Sequence, residues 1–298
     1  MNGSELHYPV MQREVMEFLN VRADGNYIDA TVGAGGHSGQ ILRVLDGGQG
    51  RLLAIDRDSQ ALKIVRERLG GHGGKLTLME GNFANIRELH EASGFPPADG
   101  ILADLGLSSM QLEDASRGFS FSLNGPLDMR MGGGELTAEE IVNRTSERDL
   151  ADLIFKFGEE RHSRRIARAI MKARPIRSTT ELAQVVMRAI PSRAGLHHLH
   201  PATRTFMALR LVVNRELENL EAFLAGFSDV LAPGGRSVVI TFHSLEDRMV
   251  KHAFRDLQRG DRVRILTKHV VRPTPEEIQE NPRSRSAKLR AAEMLQGA

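Results

Sequence analysis

The sequence predicts an α/β protein in which a doubly wound, mainly parallel sheet carries an inserted helical domain. Short apolar segments alternate with segments of helical periodicity over residues 1–104, and the alternation resumes late in the chain. Such alternation is typical of βαβ units. The interruption, residues 105–213, is far longer than the roughly 2–6 residues that usually join a strand to a helix. It is therefore expected to form a domain of its own.

Four short apolar segments early in the chain predict buried parallel strands. Residues 40–45 and 59–69 between them have helical periodicity, and Asp58 precedes the second helix as an N-cap. After a long helix pattern at 204–230 and a turn at 232–235, an apolar run predicts a fifth strand. The strand segments are residues 27–30, 52–55, 76–79, 100–103 and 236–242.

The interrupting segment is predicted to be helical, because apolar residues recur along it at helical spacing. The segments with this pattern are residues 139–144, 146–156, 163–173 and 179–189. An insertion after the fourth strand leaves the carboxyl edge of the sheet, where such folds bind ligands. We therefore expect a substrate-recognition domain at 105–213 and a discontinuous cofactor-binding domain at 1–104 and 214–298.

The C-terminal region is expected to close the sheet with a further pair of strands. The two segments that could form this pair are residues 262–271 and 286–292.

Composition narrows the functional class. The chain has no cysteine, which excludes disulfides and thiolate-based zinc sites and agrees with a reducing compartment. No apolar run reaches the length of a membrane span, and residues 1–8 do not resemble a signal peptide. The expectation is a cytoplasmic protein with no membrane partner.

Charge is distributed unevenly along the chain. The net charge is only +2, yet residues 144–215 hold 15 Lys and Arg against 6 Asp and Glu. A basic module on an otherwise neutral or acidic protein indicates a polyanionic partner. The alternative is a solvated helical surface rich in arginine.

A glycine-rich turn follows the first predicted strand, and Asp56 ends the second. This is the pattern of a nucleotide-type cofactor site, in which the acidic residue accepts hydrogen bonds from a ribose. Dinucleotide sites space their glycines as G-x-G-x-x-G, whereas Gly35 and Gly36 are adjacent here. Asp29 would repel a pyrophosphate but suits a cationic ligand, such as the amino acid end of S-adenosylmethionine. The pattern predicts a methyltransferase.

Ten ordered motifs spread over nearly the whole chain add a family resemblance. They are HYPV at 7–10, DATVGAGGHS at 29–38, LAIDRD at 53–58, GILADLGLSS at 100–109, RGFSF at 117–121, GPLDMRM at 125–131, GEER at 158–161, HPATRTF at 200–206, FHSLEDR at 242–248 and NPRSRSAKLR at 281–290. In these the chain resembles the bacterial rRNA small-subunit methyltransferase H family (RsmH, formerly MraW). That family methylates N4 of a cytidine in the decoding region of 16S rRNA.

The resemblance implies a Rossmann-like class I methyltransferase fold, S-adenosylmethionine as the cofactor, and 16S rRNA of the small ribosomal subunit as the partner. It also implies a set of cofactor-binding residues. These are Gly35, Gly36, His37, Asp56, Phe83, Asp104 and Gln111. Three of them have simpler alternatives that the sequence leaves open: Asp56 as a helix cap, His37 as a cap or packing residue, and Phe83 as a core aromatic.

Asp104 is also the candidate catalytic residue. The N4 lone pair of cytosine is delocalised into the ring, so the nitrogen must be pyramidalised and must lose a proton. Many amino-methyltransferases place an Asp/Asn-Pro-Pro-aromatic motif there, whereas this chain has Asp104-Leu-Gly-Leu. The hypothesis is that Asp104 orients the amine or the cofactor, with alignment supplying most of the acceleration. No general base is identified, and His243 is an alternative substrate contact.

Substrate-contact residues are predicted in the insert, because a cytidine must leave its stack to reach a cofactor at the sheet edge. Phe119 and Phe121 are candidates for stacking on the base, with core packing as the alternative. The candidate phosphate contacts, each of which could instead be a surface or ion-paired arginine, are Arg130, Arg161, Arg164, Arg165 and Arg204. The histidines at 197, 198 and 200 have no carboxylate or cysteine nearby in sequence, so no metal is expected.

Two other functions compete with the methyltransferase. A nicotinamide-dependent oxidoreductase would use a similar loop, but the adjacent glycines, Asp29 and the basic insert argue against it. A non-catalytic RNA-binding or ribosome assembly factor with a relic cofactor pocket is the second alternative. The intact loop with Asp56 and Asp104 argues against such decay. The sequence leaves open whether the protein is a monomer or a homodimer.

Overall fold

The computed structural model of the protein describes residues 9–190 and 200–296. The chain divides into two compact units, Met1–Gly106 with Leu217–Ala298, and Leu107–Glu216. These boundaries lie two and three residues beyond those drawn from the sequence. The chain thus leaves the first unit after its fourth strand and returns to it in a later helix.

The first unit is built on a seven-stranded sheet. The strands are β1 (Asn26–Asp29), β2 (Arg51–Asp56), β3 (Leu76–Glu80), β4 (Ala98–Asp104), β5 (Leu231–Thr241), β6 (Val263–Ile265) and β7 (Lys288–Met294). Their order is β3-β2-β1-β4-β5-β7-β6. Pairs among β1 to β5 are parallel, and β7 pairs antiparallel with both β5 and β6. The predicted doubly wound α/β class is confirmed, and the strand order reverses between β1 and β4.

Helices complete both units. They are, in chain order, α1 (Gln12–Leu19), α2 (Gly36–Leu45), α3 (Ser59–Leu69), α4 (Ile86–Ser93), α5 (Ser109–Glu113), α6 (Ala138–Arg144), α7 (Glu147–Gly158), α8 (Ser163–Ala173), α9 (Thr179–Ala189), α10 (Thr203–Val213), α11 (Glu216–Gly226), α12 (Ser244–Arg259) and α13 (Pro275–Glu280). Within the described ranges, no helix is both long and apolar enough to cross a membrane.

The sheet is buried on both faces, which explains why its central strands are continuously apolar. Alternate residues of β1 and β2 enter different clusters: Ile28 and Leu53 pack with one, Tyr27 and Leu52 with the other. This is the two-residue period of an extended chain. As predicted, Asp58 caps α3, its carboxylate accepting a 3.1 Å bond from the Gln60 amide.

The second unit has its own apolar core, contributed by one face of each of its longer helices. Leu150 and Ile154 of α7, Ile166 of α8, Leu182 of α9 and Leu209 of α10 are fully buried in it. The helical nature of this segment agrees with the periodicity of the sequence.

The continuous helix predicted at 204–230 is wrong. The helix stops at Val213, and Arg215 adopts a left-handed backbone with φ of 50°. The Asn214 side chain accepts a 2.8 Å bond from the Met131 amide and donates a 2.7 Å bond to the Met129 carbonyl. This pairing to another segment satisfies a buried amide group and marks the end of α10.

The turn predicted at 232–235 and the C-terminal strands also differ in detail. Residues 232–235 lie inside β5 as an irregularity, since Ala98 pairs with Leu231 but Gly100 pairs with Arg236. Gly234 has φ of 79° there. The predicted closing pair exists as β6 and β7, while α13 between them had no predicted counterpart.

Candidate functional site

The carboxyl ends of β1, β2 and β4 meet where the strand order reverses, the usual ligand crevice of such sheets. The loop after β1 is held between its two neighbours. The Ala30 amide donates to the Leu102 carbonyl of β4, and the Val32 amide donates to the Ile55 carbonyl of β2, both at 2.9 Å. The loop therefore has a fixed path before it enters α2.

Two glycines of this loop have positive φ, 51° at Gly33 and 80° at Gly35. Such a backbone is costly for residues with a Cβ. A Cβ on Gly35 would also lie 3.0 Å from Leu69 Cδ1 and 3.2 Å from Val65 Cγ2. Gly35 is thus required both for the turn into α2 and for the close packing of α3.

Asp56, at the end of β2, holds the loop through its carboxylate. One oxygen accepts a 2.8 Å bond from the Gly33 amide and the other a 2.9 Å bond from the Asp58 amide. Burial raises the pKa of Asp56, although these two amides oppose the rise. Asp58 rather than Asp56 therefore caps α3, and Asp56 joins the glycine-rich loop to β2.

Asp29 is buried and hydrogen-bonded within the loop, whereas the sequence indicated a carboxylate open to a cationic ligand. Its side chain is 1% exposed. One oxygen accepts a 2.6 Å bond from the Ser38 hydroxyl and the other a 3.2 Å bond from the Thr31 amide. Burial raises the pKa of Asp29 to about 6, while the Ser38 bond and nearby His37 oppose this. Asp29 thus fixes the loop between β1 and α2 through its bonds to Thr31 and Ser38.

His37 and Asp104 carry the unsatisfied polar atoms of the crevice. His37 Nε2 lies 3.6 Å from Asp104 Oδ2, too far for a hydrogen bond. Among the described residues, neither ring nitrogen of His37 nor Asp104 Oδ1 has a hydrogen-bond partner, although these atoms are buried. The His37 ring is only 7% exposed. Because buried polar groups are nearly always paired, these atoms fit a polar ligand.

The backbone of Asp104 is fixed independently of its carboxylate. Its amide donates a 2.7 Å bond to the Thr31 hydroxyl. Strand β4 is thereby joined to the loop after β1, and the Asp104 side chain is held at the edge of the sheet. A carboxylate and an imidazole placed this way can bind an ammonium group or orient an amine.

Glu277 of α13 is a neighbour of this site that the sequence analysis missed. Its Oε1 accepts a 2.7 Å bond from the Met11 amide, and it interacts electrostatically with His37. Burial raises the pKa of Glu277. Pro9 packs closely against Gly36 of the same loop, since a Cβ on Gly36 would lie 3.1 Å from Pro9 Cβ. A separation of 266 residues left no local signal for this contact.

Phe83 lies in a short 3-10 helix after β3. Its ring is partly buried and meets the Phe223 ring edge-on, with centroids 5.5 Å apart. The loop before it is joined to the end of β2, because the Gly81 amide donates to the Asp56 carbonyl at 2.9 Å. Phe83 therefore packs against the core of the first unit, which is the alternative that the sequence left open. The loop that carries Phe83 is hydrogen-bonded to Asp56.

Gln111 belongs to the second unit. Its side-chain oxygen accepts a 3.1 Å bond from the Ser108 amide, and its own amide donates to the Ser108 hydroxyl at 3.2 Å. This reciprocal capping box stabilises the start of α5. The predicted role of Gln111 in cofactor binding stays a prediction.

His243 caps α12 in the first unit. Its Nδ1 accepts a 3.4 Å bond from the Glu246 amide, and its Nε2 lies 3.1 Å from Glu246 Oε1. The other Glu246 oxygen accepts a 2.9 Å bond from the Phe242 amide. His243 Nδ1 thus serves a buried cap at the end of β5, whereas Nε2 is buried and makes no hydrogen bond with the described residues. The role of His243 as a substrate contact stays a prediction.

The aromatic candidates of the insert differ from each other. Phe119 is 6% exposed and belongs to the core of the second unit, so the packing interpretation applies. Phe121 stacks on His200, with centroids 4.4 Å apart and planes inclined by 15°. It also meets Phe206 edge-on at 5.5 Å. No sequence pattern indicated His200 as a stacking partner.

The arginine candidates also separate into two groups. Arg130 makes a two-oxygen contact with Asp128 and donates to the Gly134 carbonyl, and Arg204 lies near Glu160. These two have partners within their unit. Those that are exposed and make no ion pair or hydrogen bond with the described residues are Arg161, Arg164 and Arg165.

Among residues 9–190 and 200–296, no group of three or more His, Asp or Glu side chains is arranged to hold a metal ion. The histidines at 197 and 198 lie outside the described residues.

Comparisons with known proteins identify relatives over nearly the whole chain. The model of the MraW methylase family matches residues 4–295. A protein of Koribacter versatilis (strain Ellin345) named ribosomal RNA small subunit methyltransferase H is 53% identical, covering 96% of this chain and 93% of the relative. A protein of the same name from Solibacter usitatus (strain Ellin6076) is 50% identical, covering 97% and 100%. Among solved structures, TrmN from Thermus thermophilus has a TM-score of 0.45 at 14% identity, covering 96% of this chain and 48% of that chain.

Proposed function

This chain belongs to the MraW methylase family, and from that premise we propose that it methylates N4 of a cytidine in the decoding region of 16S rRNA. It is an S-adenosylmethionine-dependent methyltransferase. The proposal therefore concerns the RNA, the target atom and the residues that act on them. We further propose that it works in the cytoplasm on the small ribosomal subunit, as a monomer or homodimer.

The observation that carries the cofactor assignment is a set of buried polar atoms at the edge of the sheet that have no hydrogen-bond partner among residues 9–190 and 200–296. These atoms are His37 Nδ1 and Nε2 and Asp104 Oδ1. A zwitterionic amino acid group has both the donors and the acceptors that these atoms lack. The residues proposed to hold the cofactor are Gly35, Gly36, His37, Asp56, Phe83, Asp104 and Gln111.

Asp56 is proposed to accept the ribose hydroxyls as well as the Gly33 amide. A carboxylate oxygen has two lone pairs, so an oxygen that accepts one protein amide can accept a ligand hydroxyl too. This arrangement couples the loop to ribose binding. A change at Asp56 would disturb both.

When bound, S-adenosylmethionine supplies an electrophilic methyl group. Asp104 is proposed to accept a hydrogen bond from the exocyclic amine of cytosine or to hold the cofactor in line with it. The bond from its backbone amide to Thr31 fixes the end of β4 from which the carboxylate projects. Proximity and alignment then supply most of the rate, and the Asp104 carboxylate is a hydrogen-bond acceptor for an amine proton.

The rRNA target is supported by two independent features. The relatives at about half identity carry the name ribosomal RNA small subunit methyltransferase H. Residues 144–215 of this chain also carry a surplus of nine positive charges, 15 basic against 6 acidic residues, which suits a polyanion. A dinucleotide-dependent oxidoreductase accounts for neither feature.

The deciding experiment is methyl transfer from labelled S-adenosylmethionine to unmodified small ribosomal subunits, followed by nucleoside mass spectrometry. We expect N4-methylcytidine at a single site in the decoding region. Cofactor binding without transfer to subunits or free rRNA would instead favour the non-catalytic assembly factor. Methylation of another nucleoside would overturn the proposed target.

A further inference from the structure

Four basic residues of α8 lie on one side of the helix. At about 100° per residue, Arg164, Arg165, Arg168 and Lys172 fall within an arc of about 100°. All four are exposed. The opposite side, formed by Ser163, Ile166, Ala167 and Ile170, is buried in the second unit. We call the four residues the basic face of α8.

Few protein groups neutralise this face. Arg168 lies 3.4 Å from Glu147, and both side chains are largely exposed, so their attraction is weak. Arg164, Arg165 and Lys172 make no ion pair or hydrogen bond with residues in the described ranges. The face therefore presents nearly its full charge to solvent.

The folding of α8 gives no reason for this arrangement. Its first turn contains no acidic residue, and two arginines lie there instead, where the positive end of the helix dipole disfavours them. Arg164 and Arg168, and Arg168 and Lys172, are also like charges four residues apart, which repel. A bound polyanion would relieve both effects.

The side chains of the basic face suit the phosphate backbone of a nucleic acid rather than its bases. Its charges extend over about 12 Å along the helix, and no aromatic residue lies among residues 164–172 to stack on a base. Arginine forks match phosphate oxygens with two parallel hydrogen bonds. Contacts of this kind position an RNA without selecting its sequence.

We propose that the basic face of α8 binds the phosphate backbone of the rRNA and positions the folded RNA for methylation. This inference rests on the proposed function, because it identifies the surface by which that substrate is held. It assigns the role to four particular side chains rather than to the positive charge of the insert in general.

The test is the salt dependence of RNA binding. The variant Arg164→Gln/Arg165→Gln/Lys172→Gln is compared with the wild type by fluorescence anisotropy on unmodified small-subunit rRNA at several salt concentrations. Losing two or three phosphate contacts lowers the log–log salt slope by about 1.5–3 and weakens binding at least about tenfold at low salt. The KM for rRNA rises accordingly, while the cofactor dissociation constant stays unchanged.

The matched control is Arg144→Gln/Arg148→Gln, which removes two exposed positive charges from α6 and α7 of the same unit. It is expected to change the slope by less than half as much. Thermal melts of both variants establish that each is folded. Equal slopes for wild type and the α8 variant would overturn the proposal, as would equal losses in variant and control.

Two further outcomes separate this proposal from the proposed function. If the wild type forms N4-methylcytidine but the α8 variant binds RNA as tightly as the wild type, only the proposed role of the basic face is overturned. If RNA binding depends on the basic face of α8 but the wild type forms no N4-methylcytidine, only the proposed reaction is overturned. Unchanged RNA binding together with lost affinity for polyglutamate would assign the face to an acidic protein partner instead.

Discussion

The Asp29 carboxylate and the Ser38 hydroxyl lie 2.6 Å apart, joining the end of β1 to the first turn of α2 beneath the cofactor loop. Both groups are buried. Burial penalises the charge of the carboxylate and so raises the pKa of Asp29, while the bond from Ser38 opposes part of the rise. The contact also means that loop shape and proton binding are linked.

The stability of the protein is predicted to depend on the ionisation of Asp29. Its pKa is about 6 in the fold and about 3.9 in an unfolded chain. Between these values the folded state holds a proton that the unfolded state has released, so this contribution falls as pH rises through 6. Asp29→Asn removes it. The free energy of unfolding of wild type minus that of the variant should fall by about 2 kcal/mol from pH 4.5 to 7.5 in urea melts.

Ser38→Ala provides the companion measurement. The Ser38 bond lowers the pKa of Asp29, so its loss should move the pH-dependent window upward. A pH-independent difference between wild type and Asp29→Asn would contradict the assignment of the titration to Asp29.

Asp56→Ala is predicted to weaken cofactor binding by about 1.5–3 kcal/mol, or roughly ten- to a hundredfold. The substitution removes the proposed ribose acceptor and leaves the Gly33 and Asp58 amides without their present partner. Isothermal titration with S-adenosylmethionine measures the change. RNA affinity should remain unaffected, since it is assigned to the insert.

The control for this prediction is Asp46→Ala, which removes an exposed carboxylate paired with His72. It should leave the cofactor dissociation constant unchanged. Equal affinity of Asp56→Ala and the wild type would remove Asp56 from the ribose site.

Asp104→Asn is predicted to lower kcat by about tenfold to a hundredfold, the loss expected for a hydrogen bond to a charged acceptor. The substitution is isosteric, and the backbone bond to Thr31 is retained. Single-turnover methyl transfer at saturating RNA and cofactor isolates the step. Asp99→Asn, at the opposite end of β4, is the control. Full activity of Asp104→Asn would discard the carboxylate role.

Gly35→Ala is predicted to destabilise the first unit and to impair cofactor binding. The cost combines positive φ, about 1–2 kcal/mol, with the contacts of a new Cβ on Leu69 and Val65, about 1–3 kcal/mol. Gly94→Ala separates the two contributions, because Gly94 has φ of 61° and ψ of 22°, close to the 80° and 21° of Gly35, but nothing within 4 Å of the added Cβ. In thermal denaturation, the melting temperature should fall clearly more for Gly35→Ala than for Gly94→Ala. Equal falls would mean that the packing around Gly35 contributes nothing to the loss.

Much of the first unit could be read from short stretches of sequence. Parallel strands buried on both faces are continuously apolar, so the β1, β2, β3 and β4 segments were recognisable. The turn at Gly33 and Gly35 and the acidic end of β2 were recognisable for the same local reason. The family resemblance, confirmed by the comparisons, supplied the methyl donor.

Errors arose where distant segments decide the local structure. The helix pattern at 204–230 is continuous in sequence, but Asn214 bonds to the segment around Met129 and the helix stops. The polarity of Asp29 indicated a ligand contact, whereas its packing buries it. The stacking of Phe121 on His200 had no local signal either, and the contact of Phe121 with a base stays a prediction.

The sequence by itself determined the α/β class, the cofactor loop and the family, because periodicity and motif spacing depend on neighbours within a few residues. Only the tertiary structure decided which polar groups are left without partners at the site and which are already paired. Glu277 meets the Met11 amide across 266 residues, and His37 meets Asp104 from a different strand end. Burial and long-range hydrogen bonding arise from the packing of the whole chain, and no local pattern encodes them.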